Sequence, residues 1–478
     1  MSTDAPTRRT RSRERRGRSF ALTFLAVAGI LAVLGIGGAA ASVLQGPRVT
    51  SVEVDPEAAV AASGSRLIVT TTQALQEVDP SQVTVEPATP FAVDTSGRSV
   101  GVRFTLPLWD DTEYTVTFRD VRGTAAGPAA TFEHTFRTPP EEVFLLQRGE
   151  ASDTIFRTDL TGEQAEPVFT HEHIEDYRAT TEHLVMSVRT DDDEPQLIVT
   201  DHDGQGERTL PLPGEGFITN LQSADRGDLI GYTFSAADLG AAGGLESALF
   251  TASLTDSEAD AEPRPIEVEG ADPRVAEFRF VPDTDSILLL SFDGSLLLTA
   301  PDGQATSLGI ANGIDGIARG SSHAIVDRAE GVVVIDLTDG SEEPLVAPDP
   351  ALGPASSILP LSTGGTVRSS AVLTPEGLPT GVTSVDRVAD DGLVRALTSV
   401  SSSDGLLQTC VSPSERYLAV LIAPDAVENP YDTYLLPLPQ RVETHVFDMT
   451  SDDTEGEGAE ELVALAGSSV SWCQVPPI

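Results

Sequence analysis

Residues 331–348 read GVVVIDLTDGSEEPLVAP, and this pattern decides the fold of the larger part of the chain. An apolar run comes first, an Asp-Gly pair and a polar patch follow, and a short apolar run ends the unit. Asp-Gly between two apolar runs is a strong hairpin signal, because both positions of the favoured two-residue turn need positive φ. The stretch therefore predicts a β-hairpin.

A looser form of this pattern, an apolar strand, a turn with Asp or Gly, a polar patch and a short apolar strand, occurs seven times between residues 141 and 478. Stretches between the copies suit two further strands, and the copies follow one another roughly every 45–50 residues. Four strands repeated at this spacing are typical of propeller blades, so the pattern predicts a seven-bladed β-propeller. The seven copies are 153–170, 195–212, 247–270, 295–310, 331–348, 383–400 and 445–467.

One stretch between the hairpins also carries a family resemblance. Residues 412–420 read SPSERYLAV and resemble the S-P-D-G-R/K-Y-L-A-V signature of TolB-like and WD40-like propellers. Ser414-Glu415 stand where the signature has Asp-Gly, and Val281-Pro282-Asp283 is a second recognisable remnant. The resemblance covers residues 141–478 for the fold and carries no functional residue over.

The two ends of the repeat region predict how the ring closes. The first unit begins at Glu142 without room for an innermost strand, and residues 467–478, GSSVSWCQVPPI, form one lone strand. Pairing these ends would remove an exposed sheet edge. Cys410 and Cys473, the chain's two cysteines, would then lie in neighbouring blades, and we expect a disulfide between them. Two free buried thiols are the alternative.

Residues 47–138 predict a separate all-β domain. Short runs with alternating apolar residues, such as 66–71, 99–106 and 113–118, indicate six or seven strands and therefore a sandwich. The run from Arg48 to Pro139 resembles bacterial Ig-like domains of surface-layer and envelope proteins, which implies a spacer or adhesion module. Thr138-Pro139-Pro140 would end it as a stiff joint.

The N-terminal segment predicts a membrane anchor. Phe20–Leu44 is apolar and uncharged, and residues 8–18 just before it hold seven arginines. Such a run is long enough to cross a bilayer, and the arginines favour a cytoplasmic tail at 1–19 with the body outside. Ala39-Ala40-Ala41 offers the alternative of a secreted protein, cleaved near Ala41. A propeller tethered in this way resembles actinobacterial cell-envelope proteins.

Composition limits the partners and the chemistry. A net charge of −44 repels phosphate backbones, so we expect no nucleic-acid partner. His171-Glu172-His173 with His183, and the loop that begins Asp201-His202-Asp203, are weak metal or calcium candidates, because strand connections commonly hold such residues. The chain has no G-x-S-x-G nucleophile motif and no cofactor fingerprint. We expect no catalytic, cofactor-binding or metal-binding residues.

These features predict a non-enzymatic scaffold of the cell envelope. The propeller would bind other envelope proteins or cell-wall components, and Phe20–Leu44 would hold the protein in the membrane. The alternative is a propeller hydrolase or lyase acting on cell-wall glycan or peptide. Acids and a histidine converging in the central funnel would favour that enzyme. Calcium-dependent adhesion is a third possibility and requires a carboxylate cluster at the joint near Pro139.

Overall fold

The structure is a computed structural model of the whole chain. It describes residues 24–33, 46–125, 127–224, 229–239, 244–255, 261–266, 270–282, 284–300, 304–451 and 458–477. The chain forms two compact units. The first comprises Met1–Pro56, Ser65–Phe104 and Glu113–Arg137, and the second comprises Glu57–Gly64, Thr105–Thr112 and Thr138–Ile478. Two short segments that the sequence assigns to the first domain thus group with the second unit.

Part of the predicted anchor is helical. Residues 24–33 form α1, and the rest of Phe20–Leu44 lies outside the described residues, as do the arginines of 8–18. Among the described residues, none of the helices has both the length and the apolar character that crossing a membrane requires.

The first unit contains two antiparallel sheets. Alternating burial explains their strands: Val100, Val102 and Phe104 on one strand, and Val116 and Phe118 on another, are fully buried. The ring of Phe104 lies 6.4 Å from that of Phe136, across the two sheets. The first sheet has the order β1-β2-β5-β4 and the second β3-β6-β7. The strands are β1 Val49–Glu53, β2 Arg66–Thr71, β3 Val83–Glu86, β4 Phe91–Ser96, β5 Ser99–Phe104, β6 Glu113–Val121 and β7 Ala130–Arg137.

Sequence reasoning missed three elements in this region. These are the short helix α2, Pro56–Ala61, the 3-10 helix Pro80–Gln82, and strand β4. Proline at the first turn favours α2, because the missing N–H is not needed there. The alternation in β4 is faint, since Phe91, Val93 and Thr95 share a face that is only half-buried.

The second unit is a propeller, built from sheets that follow one another along the chain. Its described residues form seven antiparallel sheets, each with its strands in sequence order. We number them sheets 1 to 7. Sheet 1 has three strands, β8 Glu142–Gln147, β9 Asp153–Asp159 and β10 Ala165–His171. Sheet 2 has β11 Ile174–Ala179, β12 His183–Arg189, β13 Pro195–Asp201 and β14 Arg208–Leu210. Sheet 3 has β15 Gly216–Ser223, β16 Leu229–Ala236, β17 Ala248–Ser253 and β18 Arg264–Pro265.

The later sheets repeat this four-stranded order. Sheet 4 has β19 Val275–Phe280, β20 Ile287–Ser291, β21 Ser295–Thr299 and β22 Ala305–Ile310. Sheet 5 has β23 Gly313–Ile317, β24 His323–Arg328, β25 Gly331–Asp336 and β26 Glu342–Pro344. Sheet 6 has β27 Ala355–Pro360, β28 Thr366–Leu373, β29 Pro379–Val388 and β30 Val394–Val400. Sheet 7 has β31 Gly405–Val411, β32 Tyr417–Ala423, β33 Glu443–Asp448 and β34 Glu460–Ala466.

The seven predicted hairpins coincide with the outer strand pairs of these sheets. One detail of the prediction is wrong. In the hairpin between β25 and β26, only Gly340 has positive φ, at 74°, and Asp339 does not. The Asp339 carboxylate instead accepts a hydrogen bond from the Ser341 N–H at 2.8 Å. Aspartate therefore stabilises the turn through its side chain.

Neighbouring sheets pack through apolar faces, and the last packs on the first. Phe278 of sheet 4 is fully buried against sheet 3, where Gly231 leaves room: a Cβ there would lie 2.9 Å from the Phe278 ring. Val143 and Leu145 of sheet 1 share one core with Tyr417 and Val446 of sheet 7. The series of sheets therefore closes on itself.

The closing segment differs from its prediction. Residues 467–477 do not form a regular strand but pair with β8 through a single bridge, Leu146 with Ser468. Beyond it, the Ser471 N–H donates to the Phe144 carbonyl at 3.0 Å. Pro476 and Pro477 lack the N–H groups that a longer ladder requires.

Candidate functional site

The first strands of sheets 4 to 7 line one cavity. We call this cavity, about 380 Å³ in volume, the funnel. Its wall combines apolar residues such as Leu359 and Val411 with polar ones such as Ser357 and Thr409. Apolar walls with a few placed polar groups are typical of binding pockets.

The C-terminal segment, Trp472–Pro476, forms one side of the funnel. Side chains from three different sheets reach its main-chain carbonyl oxygens. Arg178 Nε donates to the Gln474 carbonyl at 3.2 Å, and Gln408 Nε2 donates to the Val475 carbonyl at 2.5 Å. Arg319 Nη2 lies 3.5 Å from the Trp472 carbonyl. These three groups thus bind the segment through its main-chain carbonyls.

The predicted disulfide fixes this segment at one point. Cys410 of β31 is bonded to Cys473, with 5.5 Å between their Cα atoms. It joins the first strand of sheet 7 to the C-terminal segment, but Cys473 lies outside any strand, so the predicted alignment of two strands is not observed. Cys473 is buried in the core that these two sheets share.

One acidic residue of the funnel has a strongly shifted pKa. Burial raises the pKa of Asp315 to about 6, and repulsion from Asp327 and Glu277 adds to the effect. The Ile358 N–H and the charge of Arg279 act in the opposite direction. Arg279 itself donates to the Phe278 carbonyl at 2.7 Å and to the Ile314 carbonyl at 3.2 Å. Asp315 and Arg279 together link the first strands of sheets 4, 5 and 6.

The other acid of the funnel wall is used structurally. Glu415 lies in the loop after β31, and its carboxylate accepts hydrogen bonds from Ser362 N–H, Thr363 N–H and the Thr363 hydroxyl. No histidine is among the described residues that line the funnel. The described wall therefore lacks the combination of acids and histidine that an enzyme was expected to show.

Trp472 also lines a second, smaller cavity of about 160 Å³. Glu141, half-buried in its wall, accepts a hydrogen bond of 2.9 Å from Trp472 Nε1. Burial raises the pKa of Glu141 to about 7, and repulsion from Asp110 and Glu142 adds to it. The wall of this smaller cavity therefore contains a carboxyl group that titrates near neutral pH.

The histidine candidates do not converge. The His173 N–H donates a hydrogen bond of 3.1 Å to Nδ1 of the His171 ring. His173 Nε2 lies 2.7 Å from Glu175 Oε1. His183 starts β12, the second strand after the His171–His173 connection. In the described part of the chain, histidine, cysteine and acidic side chains nowhere form a group of three suited to a metal ion.

The acidic loop after β13 is a hairpin turn. Asp201 Oδ1 accepts hydrogen bonds from the N–H groups of Asp203 and Gln205, at 3.0 and 2.7 Å. Gly204 has φ of 72°, and a Cβ there would lie 1.9 Å from the Val168 carbonyl oxygen. The Asp-Gly pattern is therefore explained by turn geometry.

Sequence reasoning missed a set of interactions that joins sheet 7 to sheets 1 and 2. Residues 424–442, between β32 and β33, form a long loop that we call the strap. The strap residues Leu435 and Leu436 donate their N–H groups to the buried carboxylate of Glu175, at 3.1 and 3.0 Å. The Tyr434 hydroxyl donates to Asp153, a fully buried acid, at 2.9 Å.

An arginine completes the attachment of the strap. Arg148 Nη1 lies 2.7 Å from Asp432 Oδ2, and its guanidinium stacks 4.1 Å from the centre of the Tyr434 ring. Arg148 also donates to the carbonyl of Glu175 at 2.7 Å. The buried acids Asp153 and Glu175 lie in ordinary strand sequence, so the only signal of an ordered loop was the set of prolines in the strap, Pro424, Pro430, Pro437 and Pro439.

Comparisons with known proteins find only distant likenesses. No protein-family model matches the chain, and no curated protein matches it. The putative TolB of Agrobacterium tumefaciens is similar at 13% identity over 69% of this chain and 90% of its own, with a TM-score of 0.35. The Cps50 (Swd1) β-propeller domain of Myceliophteria thermophila is similar at 12% identity over 62% and 87%, with a TM-score of 0.40. A chain of a nidogen/laminin complex is similar at 13% identity over 54% and 92%, with a TM-score of 0.32. Because these likenesses are so distant, the propeller assignment rests on the sheet order described above.

Proposed function

We propose that this protein is a non-enzymatic binding protein of the cell envelope, tethered to the membrane by Phe20–Leu44, with a seven-bladed propeller outside. An Ig-like module would serve as its spacer. The arginines of 8–18 and the uncharged run after them support the orientation. The disulfide fits an oxidising compartment outside the cytoplasm.

The observation that carries the binding role is the backbone recognition of Trp472–Pro476. Arg178 and Gln408 bind main-chain carbonyl oxygens rather than side chains of this segment. Side chains of the ring can thus bind a main chain inside it, and the funnel leaves about 380 Å³ beside the segment. We infer that an extended segment of a partner protein enters the funnel next to Trp472–Pro476.

Photocrosslinking in intact cells tests this proposal. A photoreactive amino acid replaces Leu359 in the funnel wall, and a control replaces Leu462 on the outermost strand, β34. We expect an envelope protein to crosslink through position 359 and not through 462. Equal crosslinking at both positions, or none at 359, would contradict the funnel as the binding site.

The tether has its own test. Full-length protein should fractionate with membranes and resist extraction by high salt. Protease added outside intact cells should degrade the propeller. Release of the protein into the medium, with a new N-terminus near Ser42, would instead establish cleavage and a secreted protein.

A second candidate function is a hydrolase or lyase acting on cell-wall glycan or peptide. Asp315 supports it, because a carboxyl group with a pKa of about 6 is suited to acid–base chemistry. The test is release of soluble fragments from purified cell wall. Activity that is lost in Asp315→Asn, with folding retained, would favour the enzyme over the scaffold.

A further inference from the structure

Exposed large apolar side chains of the second unit concentrate at one end of its ring of sheets. Strands alternate in direction within each sheet, and short connections such as 172–173, 311–312 and 401–404 join one sheet to the next. In a four-stranded sheet, the loop that joins the second strand to the third therefore lies at the same end of the ring as these connections. We call this end the connection face.

The connection face carries Phe292, Leu373, Leu378, Val427, Tyr431 and Leu435, all exposed large apolar residues. Val427 is 97% exposed and Leu378 is 65% exposed. At the opposite end, Leu393 in the loop between β29 and β30 is exposed as well. Burying such side chains is favourable, so a group of them at one end points to a contact surface.

Part of this surface is continuous. The tip of the β28–β29 hairpin, residues 373–379, adjoins the loop 401–404 because β29 pairs with β30 up to Val400. Two hydrogen bonds join loop 401–404 to the strap. Ala426 N–H donates to the Ser403 carbonyl at 2.9 Å, and Asp425 N–H donates to Asp404 Oδ1 at 3.0 Å. Hairpin tip, loop and strap thus form one patch, which we call the apolar patch.

The apolar patch is also acidic. Glu376 is two residues before Leu378, and Glu428 follows Val427, and all four side chains are exposed. Asp425 is exposed too, and its carboxylate lies 3.9 Å from the Arg441 guanidinium. Apolar side chains among acids are complementary to a segment with apolar residues among arginines or lysines.

We propose that the apolar patch, formed by the hairpin tip 373–379, the loop 401–404 and the strap, docks a basic amphipathic segment of a partner protein. This rests on the proposed function as a binding protein and assigns it a second contact surface outside the funnel. The strap is suited to the role because Arg148, Glu175 and Asp153 hold it in place before binding. A pre-ordered loop loses little conformational entropy when a partner docks.

Two other occupants are less compatible with the charges. Anionic lipid headgroups are repelled by Glu376, Asp425 and Glu428. A second copy of this chain would bring the same acids into contact with themselves across a two-fold axis. A basic partner segment would instead be attracted by these acids.

Peptide binding to the full-length chain in nanodiscs of neutral phospholipid tests the proposal. The probe is a labelled 18-residue amphipathic peptide of leucine and arginine, compared with one that has glutamate for arginine, by fluorescence anisotropy. We expect the arginine peptide to bind and the glutamate peptide not to bind. The double variant Leu378→Glu/Val427→Glu should weaken binding at least tenfold, although it adds negative charge.

The matched control is Leu393→Glu, at the opposite end of the ring. It should leave the affinity for the arginine peptide unchanged, and a loss equal to that of the double variant would overturn the proposal. Unchanged binding by the double variant, equal binding of the glutamate peptide, or a dimer that the double variant dissociates in sedimentation would also overturn it. Crosslinking at position 359 reports on the funnel separately, so failure of one surface does not imply failure of the other.

Discussion

The Tyr417 hydroxyl donates a hydrogen bond of 2.6 Å to Asp110 Oδ1, across 307 residues of sequence. Arg416 Nη1 reaches the same oxygen at 3.0 Å, and its Nε lies 3.2 Å from Asp448 Oδ2. Asp110 is buried, and these partners satisfy its carboxylate. The segment Thr105–Thr112 is thereby bound to sheet 7 within the second unit.

Removing this hydroxyl should destabilise the second unit. Tyr417→Phe leaves the buried Asp110 with one donor fewer, which costs roughly 1–3 kcal/mol when a buried charged group loses a hydrogen bond. Urea unfolding at neutral pH measures the loss. Tyr431→Phe is the control, since Tyr431 is 59% exposed, and it should unfold like wild type. Equal stability of the two variants would contradict a structural role for the Tyr417–Asp110 bond.

Reducing the disulfide should lower stability without unfolding the ring. Cys410 and Cys473 are 63 positions apart, and closing such a loop is worth roughly 4 kcal/mol in the chain-entropy estimate. We expect the urea midpoint to fall when reductant is added to wild type. Cys410→Ser/Cys473→Ser should show the lower midpoint with or without reductant. A non-reducing peptide map with both thiols free would disprove the bond.

Releasing the strap should expose its amides to solvent. Arg148→Ala leaves the carboxylate of Asp432 without its partner at 2.7 Å, and because the two side chains are 11% and 13% exposed, loss of this charged hydrogen bond should cost roughly 1.5–3 kcal/mol. Hydrogen–deuterium exchange should accelerate in 424–442 and stay unchanged in β20 and β24.

Arg441→Ala is the control for the strap. Its pairing with Asp425 spans 3.9 Å between two side chains that are more than half exposed, so we expect a change of under about 0.5 kcal/mol. Slow exchange in the strap of the Arg148 variant would show that Asp153 and Glu175 suffice to hold it.

Stability should fall as the pH rises through neutrality, because of Glu141. Its folded-state pKa of about 7 lies above the ordinary value of 4.5, so protonation favours the folded state. The contribution is fully present below about pH 4.5 and is lost as the pH rises through 7. Glu141→Gln should remove this dependence and raise stability at pH 8.

Tryptophan fluorescence reports on the same carboxyl group. Trp109 and Trp472 are the chain's two tryptophans, so Trp109→Phe leaves Trp472, the hydrogen-bond donor to Glu141, as the single probe. Its emission should change with a midpoint near pH 7. The transition should be absent when Glu141→Gln is added, and its persistence would assign the titration to another group.

Local sequence determined the strands and turns of this protein. Apolar runs separated by turns with Asp or Gly specify hairpins because the turn and the side-chain alternation both act within a few residues. Residues 331–348 and the six similar stretches thus coincide with outer strand pairs. The pairing of Cys410 with Cys473 followed from aligning two such repeats.

Only the tertiary structure decided how the ring is held together and where it can bind. Asp153, Glu175 and Asp110 look like surface acids in the sequence, yet they are buried because donors from residues some 260 to 310 positions away satisfy them. Hydrogen bonds over such separations leave no periodic pattern in the chain. No sequence pattern predicts the hydrogen bonds of Gln408 and Arg178 to the C-terminal segment either, because they form only once the sheets have closed into a ring.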